Sequence, residues 1–247
     1  MELRQLTKKL LQTTFGLNTY LYCFSIYKIY TLRRDLNEKI MFAFLDLIPN
    51  DSLILDIGAN LGFVTYHLSK KPGCSVIAFE PIPINFSVLT RLIAAKQLTN
   101  TTALPYALGD ETGTLDMVRP HQNGVPMQGL SHVTNGTDHQ ETGYRFTVPV
   151  KRLDELSEIR DNGKRVGGIK IDVENYEYFI LQGGINLLRQ HKPVICIELW
   201  EDENRERSLS LLTSLGYVTY VLVDNQLARL SDGPANRNTI NYICRVA

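Results

Sequence analysis

LILDIGANLG, residues 53–62, joins an apolar run that ends in an acid to a turn that contains two glycines. Eighteen residues after Gly62, Glu80 closes a second apolar run in the sequence AFEP, residues 78–81. An apolar strand, a glycine turn, a helix and a second strand ending in an acid form half of a nucleoside-binding α/β sheet. These two segments predict the fold class more strongly than any other part of the chain.

The composition is that of a globular α/β domain. The chain has 247 residues, and 44% of them are hydrophobic, which is enough for a substantial core. Its 26 basic and 26 acidic residues cancel, and no long basic stripe points to a nucleic-acid partner. We expect free thiols and cytoplasmic action, because the four cysteines have no metal-binding or paired spacing. They are Cys23, Cys74, Cys196 and Cys244.

The apolar runs predict seven strands alternating with helices, in a mostly parallel sheet with one antiparallel strand. This is a Rossmann-like α/β fold. The predicted strands are residues 53–56, 76–79, 103–107, 168–173, 193–199, 217–223 and 239–245. One of the predicted helices runs from about Tyr176 to Gln190.

Two additions flank or interrupt this pattern. Residues 1–48 are expected to form a helical extension, and residues 49–247 the main domain. Residues 113–150 are expected to form an inserted hairpin with a long polar middle. That middle is either a flap on the substrate side or a merely mobile insertion.

The most aromatic stretch of the chain is residues 15–32, FGLNTYLYCFSIYKIYTL. It is too short and too polar for a membrane span, and it lacks the small-residue cleavage site of a signal peptide. Three interpretations remain: an amphipathic helix packed on the domain, a peripheral membrane contact, or a protein-partner surface.

Four acids are expected at the carboxyl ends of the strands, where ligands of open α/β sheets bind. They are Asp56, Glu80, Asp172 and Glu198. Glu80 suits the two hydroxyls of a ribose, and Asp56 suits an ammonium group or the amides of the turn. The turn lacks the GxGxxG spacing of a dinucleotide site. It therefore favours S-adenosylmethionine, whose tail is a cationic amino acid.

The chain also resembles the FkbM family of methyltransferases over about residues 50–200. The resembling segments are DIGANLGFVTYHLS (56–69), AFEPIPINFSVL (78–89), YALGDETGTLDM (106–117), KRLDEL (151–156), GIKIDVENYEYFILQGG (168–184) and CIELW (196–200). The resemblance implies the Rossmann-like class I methyltransferase fold. It also implies S-adenosylmethionine as the methyl donor and an oxygen acceptor on a sugar, glycan or natural product.

The resemblance assigns residues to parts of that cofactor. Around the methionine part it implies Asp56, Gly58, Ala59, Asn60 and Gly62. It implies Glu80 at the ribose with Pro81 and Asn85 nearby, and Ala107 and Leu108 along the adenine. The chain departs from the family pattern KIDVEG, because Asn175 replaces its glycine. Since asparagine tolerates positive φ better than most residues, we expect the turn to survive.

Methyl transfer to a hydroxyl needs a group that takes its proton. Asp172 is the first candidate, and Lys170, two residues earlier on the same side of the strand, is expected to assist it. His132 is a second candidate base or a solvated loop histidine. We favour no metal, although Asp172, Glu174 and Glu198 offer oxygen ligands that suit Mg²⁺. The alternative function is a non-catalytic S-adenosylmethionine- or nucleoside-binding protein.

Overall fold

The structure is a computed structural model that describes residues 11–122, 125–126, 132–133, 143–230 and 239–246. Its strands, numbered along the chain, are β1 (Leu53–Ile57), β2 (Ser75–Phe79), β3 (Thr101–Leu104), β4 (Ala107–Leu108), β5 (Gly113–Gln122), β6 (Val125–Pro126), β7 (His132–Val133), β8 (Gly143–Lys151), β9 (Val166–Ile171), β10 (Val194–Glu198), β11 (Tyr217–Val223), β12 (Gln226–Arg229) and β13 (Asn241–Val246).

The helices alternate with these strands. They are α1 (Leu17–Thr31), α2 (Lys39–Leu47), α3 (Phe63–Leu68), α4 (Pro83–Ala95), α5 (Ser157–Arg160), α6 (Glu177–Gln182), α7 (Ile185–His191) and α8 (Glu203–Ser214). Residues 11–15, also helical, precede α1, and two short 3-10 turns join α1 to α2. Among the described residues, no helix is both long and apolar enough to cross a bilayer.

The main sheet has the strand order β12-β11-β13-β10-β9-β1-β2-β3. From β3 to β10 all neighbouring strands are parallel, and β13 lies antiparallel between β10 and β11. The chain builds outward from β1 to β3 and then crosses back to β9. Strand order therefore reverses between β1 and β9, which is where an open α/β sheet binds its ligand.

The Rossmann-like fold class is confirmed, but the sheet has eight strands where the sequence predicted seven. The eighth, β12, pairs with β11 through a two-residue turn at Asp224 and Asn225. Both residues have positive φ, 48° and 63°, the backbone form of a tight type I′ hairpin. The prediction missed it because Asp-Asn is a weaker turn signal than Asn-Gly or Asp-Gly.

Two predicted strand ends and one predicted helix were also wrong. The strand predicted at 168–173 ends at Ile171, so Asp172 lies just beyond it. The strand predicted at 103–107 ends at Leu104, and Ala107 begins β4. The helix predicted from Tyr176 to Gln190 is two helices that meet at Gly183 and Gly184. A Cβ on Gly183 would lie 1.9 Å from the carbonyl oxygen of Gly109, so close packing holds the chain there.

A second, smaller sheet contains the predicted hairpin. β5 and β8 pair antiparallel along most of their length, β4 joins β8, and the short β6 and β7 pair with β5. Most of the long middle of the hairpin lies outside the described residues. The contrast between a flap and a mobile insertion therefore stays a prediction.

The core occupies both faces of the main sheet because side chains alternate along each strand. On one face, Leu53, Leu55 and Ile57 of β1 pack with the apolar residues of α6, α7 and α8. On the other face, Ile54 packs with the buried side chains of α2 and α3. The helix α1 lies outside this second layer, against α3 and α4.

Candidate functional site

A cavity of about 340 Å³ opens at the carboxyl ends of β1, β2 and β9, where the strand order reverses. We call it the first cavity. The predicted site residues that line it are Gly58, Asn60, Glu80, Pro81, Asn85, Ala107, Leu108 and Asp172. Side chains from the second sheet and from the segment after β9 close its other sides. Residues from separate parts of the sequence thus meet in one pocket, as the strand-end argument predicts.

Glu80 lies at the end of β2 with only 3% of its surface exposed. Its Oε2 accepts the backbone N–H of Asn60 at 2.8 Å, and its Oε1 accepts that of Ile82 at 3.0 Å. The side-chain amide of Asn85 donates to Oε1 at 3.4 Å. These contacts fix the carboxyl against the turn of β1 and the start of α4, so its position is set before any ligand arrives.

Beside Glu80 lie two buried hydrogen-bond acceptors that have no donor in the described part of the chain. Burial raises the pKa of Glu80 from its ordinary value near 4.5 to about 7, against the lowering effect of the three donors. The two acceptors are the side-chain amide oxygens of Asn60 and Asn85. Buried acceptors normally find a partner. This part of the cavity therefore fits a ligand rich in O–H and N–H donors.

The turn after β1 has three residues with positive φ: Gly58 at 76°, Asn60 at 51° and Gly62 at 82°. A Cβ on Gly58 would lie 2.0 Å from the backbone oxygen of Asp172. A Cβ on Gly62 would lie 2.7 Å from Leu89 of α4. Gly58 thus lets the segment after β9 approach the turn. Gly62 lets α3 pack on α4 and does not line the first cavity.

Asp56 does not line the first cavity; the sequence predicted that it meets either the ligand's ammonium group or the amides of the turn. Its side chain is fully buried on the face of β1 that α2 and α3 cover. There Oδ2 accepts the hydroxyl of Thr65 at 2.6 Å, and Oδ1 lies 3.5 Å from Nζ of Lys170. Ala59, predicted beside it, is also buried, where it packs with Ala78 and Leu89. In this structure Asp56 and Ala59 support the turn from behind.

Thr65→Val should lower the free energy of unfolding by about 2 kcal/mol, because a buried carboxylate oxygen loses its donor at nearly unchanged side-chain volume. Chemical denaturation measures the change. Thr65→Ser is the matched control, since it keeps the hydroxyl and loses one methyl group. If valine is tolerated as well as serine, the hydrogen bond to Asp56 does not stabilise the fold.

Lys170 and Asp172 form an ion pair at the end of β9. Nζ of Lys170 lies 3.0 Å from Oδ2 of Asp172 and donates to the carbonyl of Gly58 at 2.9 Å. Burial disfavours the lysine's charge, but the carboxylates of Asp172 and Asp56 outweigh it and raise the pKa of Lys170. The Asp172 side chain is 51% exposed. A buried ammonium group with a raised pKa therefore holds a carboxylate at the cavity edge.

A second cavity, of about 540 Å³, lies on the other side of Asp172. Its walls are Leu36, Glu38, Ile40 and Met41 before β1, Phe63 and Val64 of α3, the strand-end residues Lys170, Ile171, Asp172, Cys196 and Glu198, and Leu222, Thr239, Ile240 and Asn241. Asp172 and Glu198 line both cavities. These two carboxyls therefore stand where the cavities adjoin.

Three further carboxyls near Asp172 have a raised pKa. Burial, together with the charges of Asp172 and Glu174, raises the pKa of Glu198 to about 7. Burial also raises the pKa of Glu38, and it raises that of Glu177 to about 8. Sequence reasoning missed Glu38 because it comes from the N-terminal helical segment, far from the strand ends in sequence. Sequence reasoning placed Glu198 at a strand end and considered it as a possible metal ligand, but not as a base.

Three further expectations concern the possible metal ligands, His132 and Asn175. Across the described ranges, no group of three or more His, Cys, Asp and Glu side chains is arranged to hold a metal ion. The backbone of His132 pairs with Val118 of β5, but its side chain lies outside what the structure describes, so its role stays a prediction. Asn175 has a φ of 62°, which confirms that the turn survives without the family's glycine.

The wall formed by the second sheet was only partly predictable. Tyr106 is 5% exposed, its hydroxyl donates to Glu158 at 3.0 Å, and Nζ of Lys151 lies 4.3 Å from its ring centre. Leu115 and Met117 of β5 complete this apolar side beside Ala107 and Leu108. Sequence reasoning missed Tyr106, although it directly precedes the predicted pair Ala107 and Leu108. Its position next to that pair was the signal that could have identified it.

Comparison with known proteins gives a family match. A model of the family described as "Methyltransferase FkbM domain" matches residues 56–219, which contain every residue that lines the first cavity and seven of the fifteen that line the second. Methyltransferase 1 of Beauveria bassiana is 30% identical over 148 residues, 55% of this chain and 59% of that protein. The hexuronic acid methyltransferase AglP of Haloferax volcanii is 27% identical over 170 residues, 69% of this chain and 64% of that protein. The chain thus spans about three fifths of either relative.

Among solved structures, methyltransferase FkbM from Methylobacillus flagellatus KT superposes with a TM-score of 0.50 at 12% sequence identity. The match covers 95% of this chain and 59% of that one. At this identity the likeness concerns the fold alone.

Proposed function

The chain belongs to the FkbM family of methyltransferase domains, and from that premise we propose that it is an S-adenosylmethionine-dependent O-methyltransferase. We propose a hydroxyl group of a sugar, a glycan or a natural product as the acceptor. The observation that carries the proposal is the group of buried acceptors around Glu80, two of which have no donor in the described part of the chain. A relative named as a hexuronic acid methyltransferase supports a sugar acceptor.

The residues of the first cavity fit this cofactor. Glu80 would accept the ribose hydroxyls, because both of its oxygens are held in place by backbone donors. The unpartnered amide oxygens of Asn60 and Asn85 would accept further donors. The apolar wall of Ala107, Leu108 and Tyr106 suits a flat base.

When bound, S-adenosylmethionine supplies an electrophilic methyl group on a positively charged sulfur. A hydroxyl becomes a competent nucleophile only when a base removes its proton. Asp172 suits that task because it is half exposed and lines both cavities. Lys170 positions the carboxylate, since its ammonium group lies 3.0 Å from Oδ2 of Asp172.

The second cavity suits the acceptor because it adjoins the first at Asp172 and Glu198. Its charged groups are the carboxyls of Glu38, Asp172 and Glu198 and the ammonium group of Lys170. Three carboxyls with one cation disfavour an acidic acceptor and favour a neutral one rich in hydroxyl donors. Glu198 is a second candidate base, because a pKa of about 7 is close to the optimum for proton transfer at neutral pH.

The test is incubation of the full chain with S-adenosylmethionine and paired acceptors, such as a methyl glucoside and the matching methyl glucuronide. Mass spectrometry follows the acceptor, and a coupled assay follows S-adenosylhomocysteine. We expect a mass gain of one methyl unit and a preference for the neutral acceptor. Tight cofactor binding without turnover on a broad panel of hydroxyl acceptors would instead favour a non-catalytic binding protein.

The affinity for S-adenosylhomocysteine should fall about tenfold for each pH unit below 7, because the ribose hydroxyls need the ionised form of Glu80. Calorimetry in buffers of different ionisation enthalpy should detect a proton released on binding near pH 6. The effect of Glu80 on the stability of the fold has the opposite sign. Its raised pKa stabilises the native protein while the carboxyl is protonated, and this contribution to the free energy of unfolding is lost as pH rises from about 4.5 to 7.

Glu80→Gln is the control for this pH dependence, because Glu198 also has a pKa of about 7. The variant should bind S-adenosylhomocysteine more weakly. Its affinity should no longer change between about pH 5.5 and 7.5, the range in which a group with a pKa near 7 is titrated. An unchanged pH profile in the variant would assign the titration to another group.

Cytoplasmic action is also part of the proposal. Cys74, Cys196 and Cys244 are buried free thiols, which supports a reducing compartment.

A further inference from the structure

The charges of this chain are unevenly distributed. The sequence has 26 acidic residues, yet none lies in residues 11–34, 57–79 or 81–109. These stretches supply α1, α3 and α4, and α1 packs against both of the other helices. The basic residues of the three helices and their ends are Lys28, Arg33, Arg34, Lys70, Lys71, Arg91 and Lys96. One group of neighbouring helices therefore carries only positive charge.

The helix α1 is apolar on both sides. Leu21, Ser25 and Ile29 face inward and are buried. On the outer side, Tyr27 is 62% exposed and Tyr30 is 68% exposed, and Phe24 is also exposed. A helix that packs only on its own domain places its apolar residues inward. The outer aromatic residues of α1 therefore leave ring surface exposed, although the hydroxyl of Tyr30 accepts a hydrogen bond from Nζ of Lys96 at 3.3 Å.

Lysine and arginine side chains contact tyrosine rings of α1 and of the neighbouring helix α3. Nζ of Lys96 is 5.3 Å from the ring centre of Tyr30 and 5.9 Å from that of Tyr66. Nζ of Lys70 is 5.0 Å from the Tyr66 ring centre, and Arg91 lies 4.1 Å from that of Tyr22. Lys96 thus links Tyr30 of α1 to Tyr66 of α3, and Arg91 of α4 contacts α1 at Tyr22. We call the outer side of α1, together with Lys70, Arg91 and Lys96, the aromatic–basic face.

We propose that the aromatic–basic face binds the surface of a membrane that contains anionic lipids. Phenylalanine and tyrosine side chains favour the headgroup region, and lysine and arginine side chains are attracted to anionic headgroups. A second copy of this chain would set cations against cations, whereas an anionic lipid surface is complementary. Lys28 is not counted among these cations, because its ammonium group forms an ion pair with Asp35 at 3.1 Å.

The helix α1 is connected to the turn after β1, and the segment that follows α1 lines the second cavity. The hydroxyl of Ser25 in α1 donates to the carbonyl of Leu61 in the turn after β1 at 2.8 Å. Leu36, which follows α1 in the chain, is 73% exposed and lines the second cavity. The membrane surface would therefore lie beside the rim of the second cavity.

The test is co-sedimentation of the full chain with vesicles of phosphatidylcholine, with and without phosphatidylserine. We expect binding to the vesicles that contain phosphatidylserine and a loss of binding as salt is raised. Tyr27→Ser with Tyr30→Ser, and Lys70→Glu with Lys96→Glu, should each weaken binding at least about tenfold. Binding of S-adenosylhomocysteine and the circular dichroism spectrum check that these variants fold.

The matched controls carry the same changes elsewhere. Tyr144→Ser removes a tyrosine that is 56% exposed on the second sheet. Arg160→Glu with Arg189→Glu reverses two charges on α5 and α7, which pack on the opposite face of the main sheet. These variants should bind like the natural chain. The proposal is overturned by no binding to either vesicle, by equal binding to both, or by equal losses in variants and controls. Tighter binding to single-stranded DNA, lost in the same variants, would also overturn it.

Discussion

Replacing Glu80 with alanine should weaken the binding of S-adenosylmethionine about a hundredfold, because two hydrogen bonds to a buried charged group are lost. The carboxyl is fixed by the backbone donors of Asn60 and Ile82, so no neighbouring side chain replaces it. Equilibrium dialysis with labelled cofactor measures the dissociation constant. Thermal unfolding of the same samples reports whether the variant is folded.

Two variants separate the loss of the contact from damage to the turn. Glu80→Gln keeps the shape and one acceptor oxygen, so its loss of affinity should be intermediate. Glu158→Gln changes a carboxyl that binds the hydroxyl of Tyr106 from outside the first cavity and should change affinity little. A folded Glu80→Ala variant with natural affinity would contradict the assignment of this cavity to the cofactor.

Replacing Asp172 with asparagine should lower the rate of methyl transfer about a thousandfold and leave the cofactor's dissociation constant nearly unchanged. General-base catalysis contributes effects of about this size. Asparagine still offers Lys170 an oxygen, so the position of Lys170 and its bond to Gly58 should survive. Single-turnover kinetics with saturating cofactor measure the rate of the chemical step.

Neighbouring carboxyls provide the controls for this second prediction. Glu174→Gln alters another acid that lines the first cavity and should leave the rate nearly unchanged. Glu198→Gln tests the second candidate base, whose pKa is about 7. If Asp172→Asn is fully active and Glu198→Gln is inactive, Glu198 takes the proton. If Asp172→Asn loses cofactor binding while it stays folded, Asp172 belongs to the cofactor site.

The strand-end geometry could be predicted from the sequence because it follows from local rules. An acid that ends the second strand of such a sheet must reach the ligand side, and Glu80 lines the first cavity as expected. Alternation along a strand places Lys170 and Asp172 on one side, and the two side chains form an ion pair. The resemblance to a family added the positions along the cavity that periodicity alone does not specify.

The orientation of Asp56 could not be predicted in the same way. The sequence gives its place at the end of β1, but not which face of the sheet Thr65 and α3 would cover. Glu38 was equally hidden, because a contact between the N-terminal segment and the ends of β9 and β10 depends on how α2 packs. Such contacts arise from tertiary packing, which spacing along the chain does not encode.

Calorimetric titration of the full chain with S-adenosylmethionine and with S-adenosylhomocysteine at neutral pH shows directly whether the first cavity binds the cofactor. We expect saturable binding of both ligands, with one ligand per chain and a micromolar dissociation constant. The absence of binding at millimolar ligand, by a chain that unfolds cooperatively, would contradict this expectation. In that case the first cavity would not be a cofactor site, and the proposed methyl transfer would fall with it.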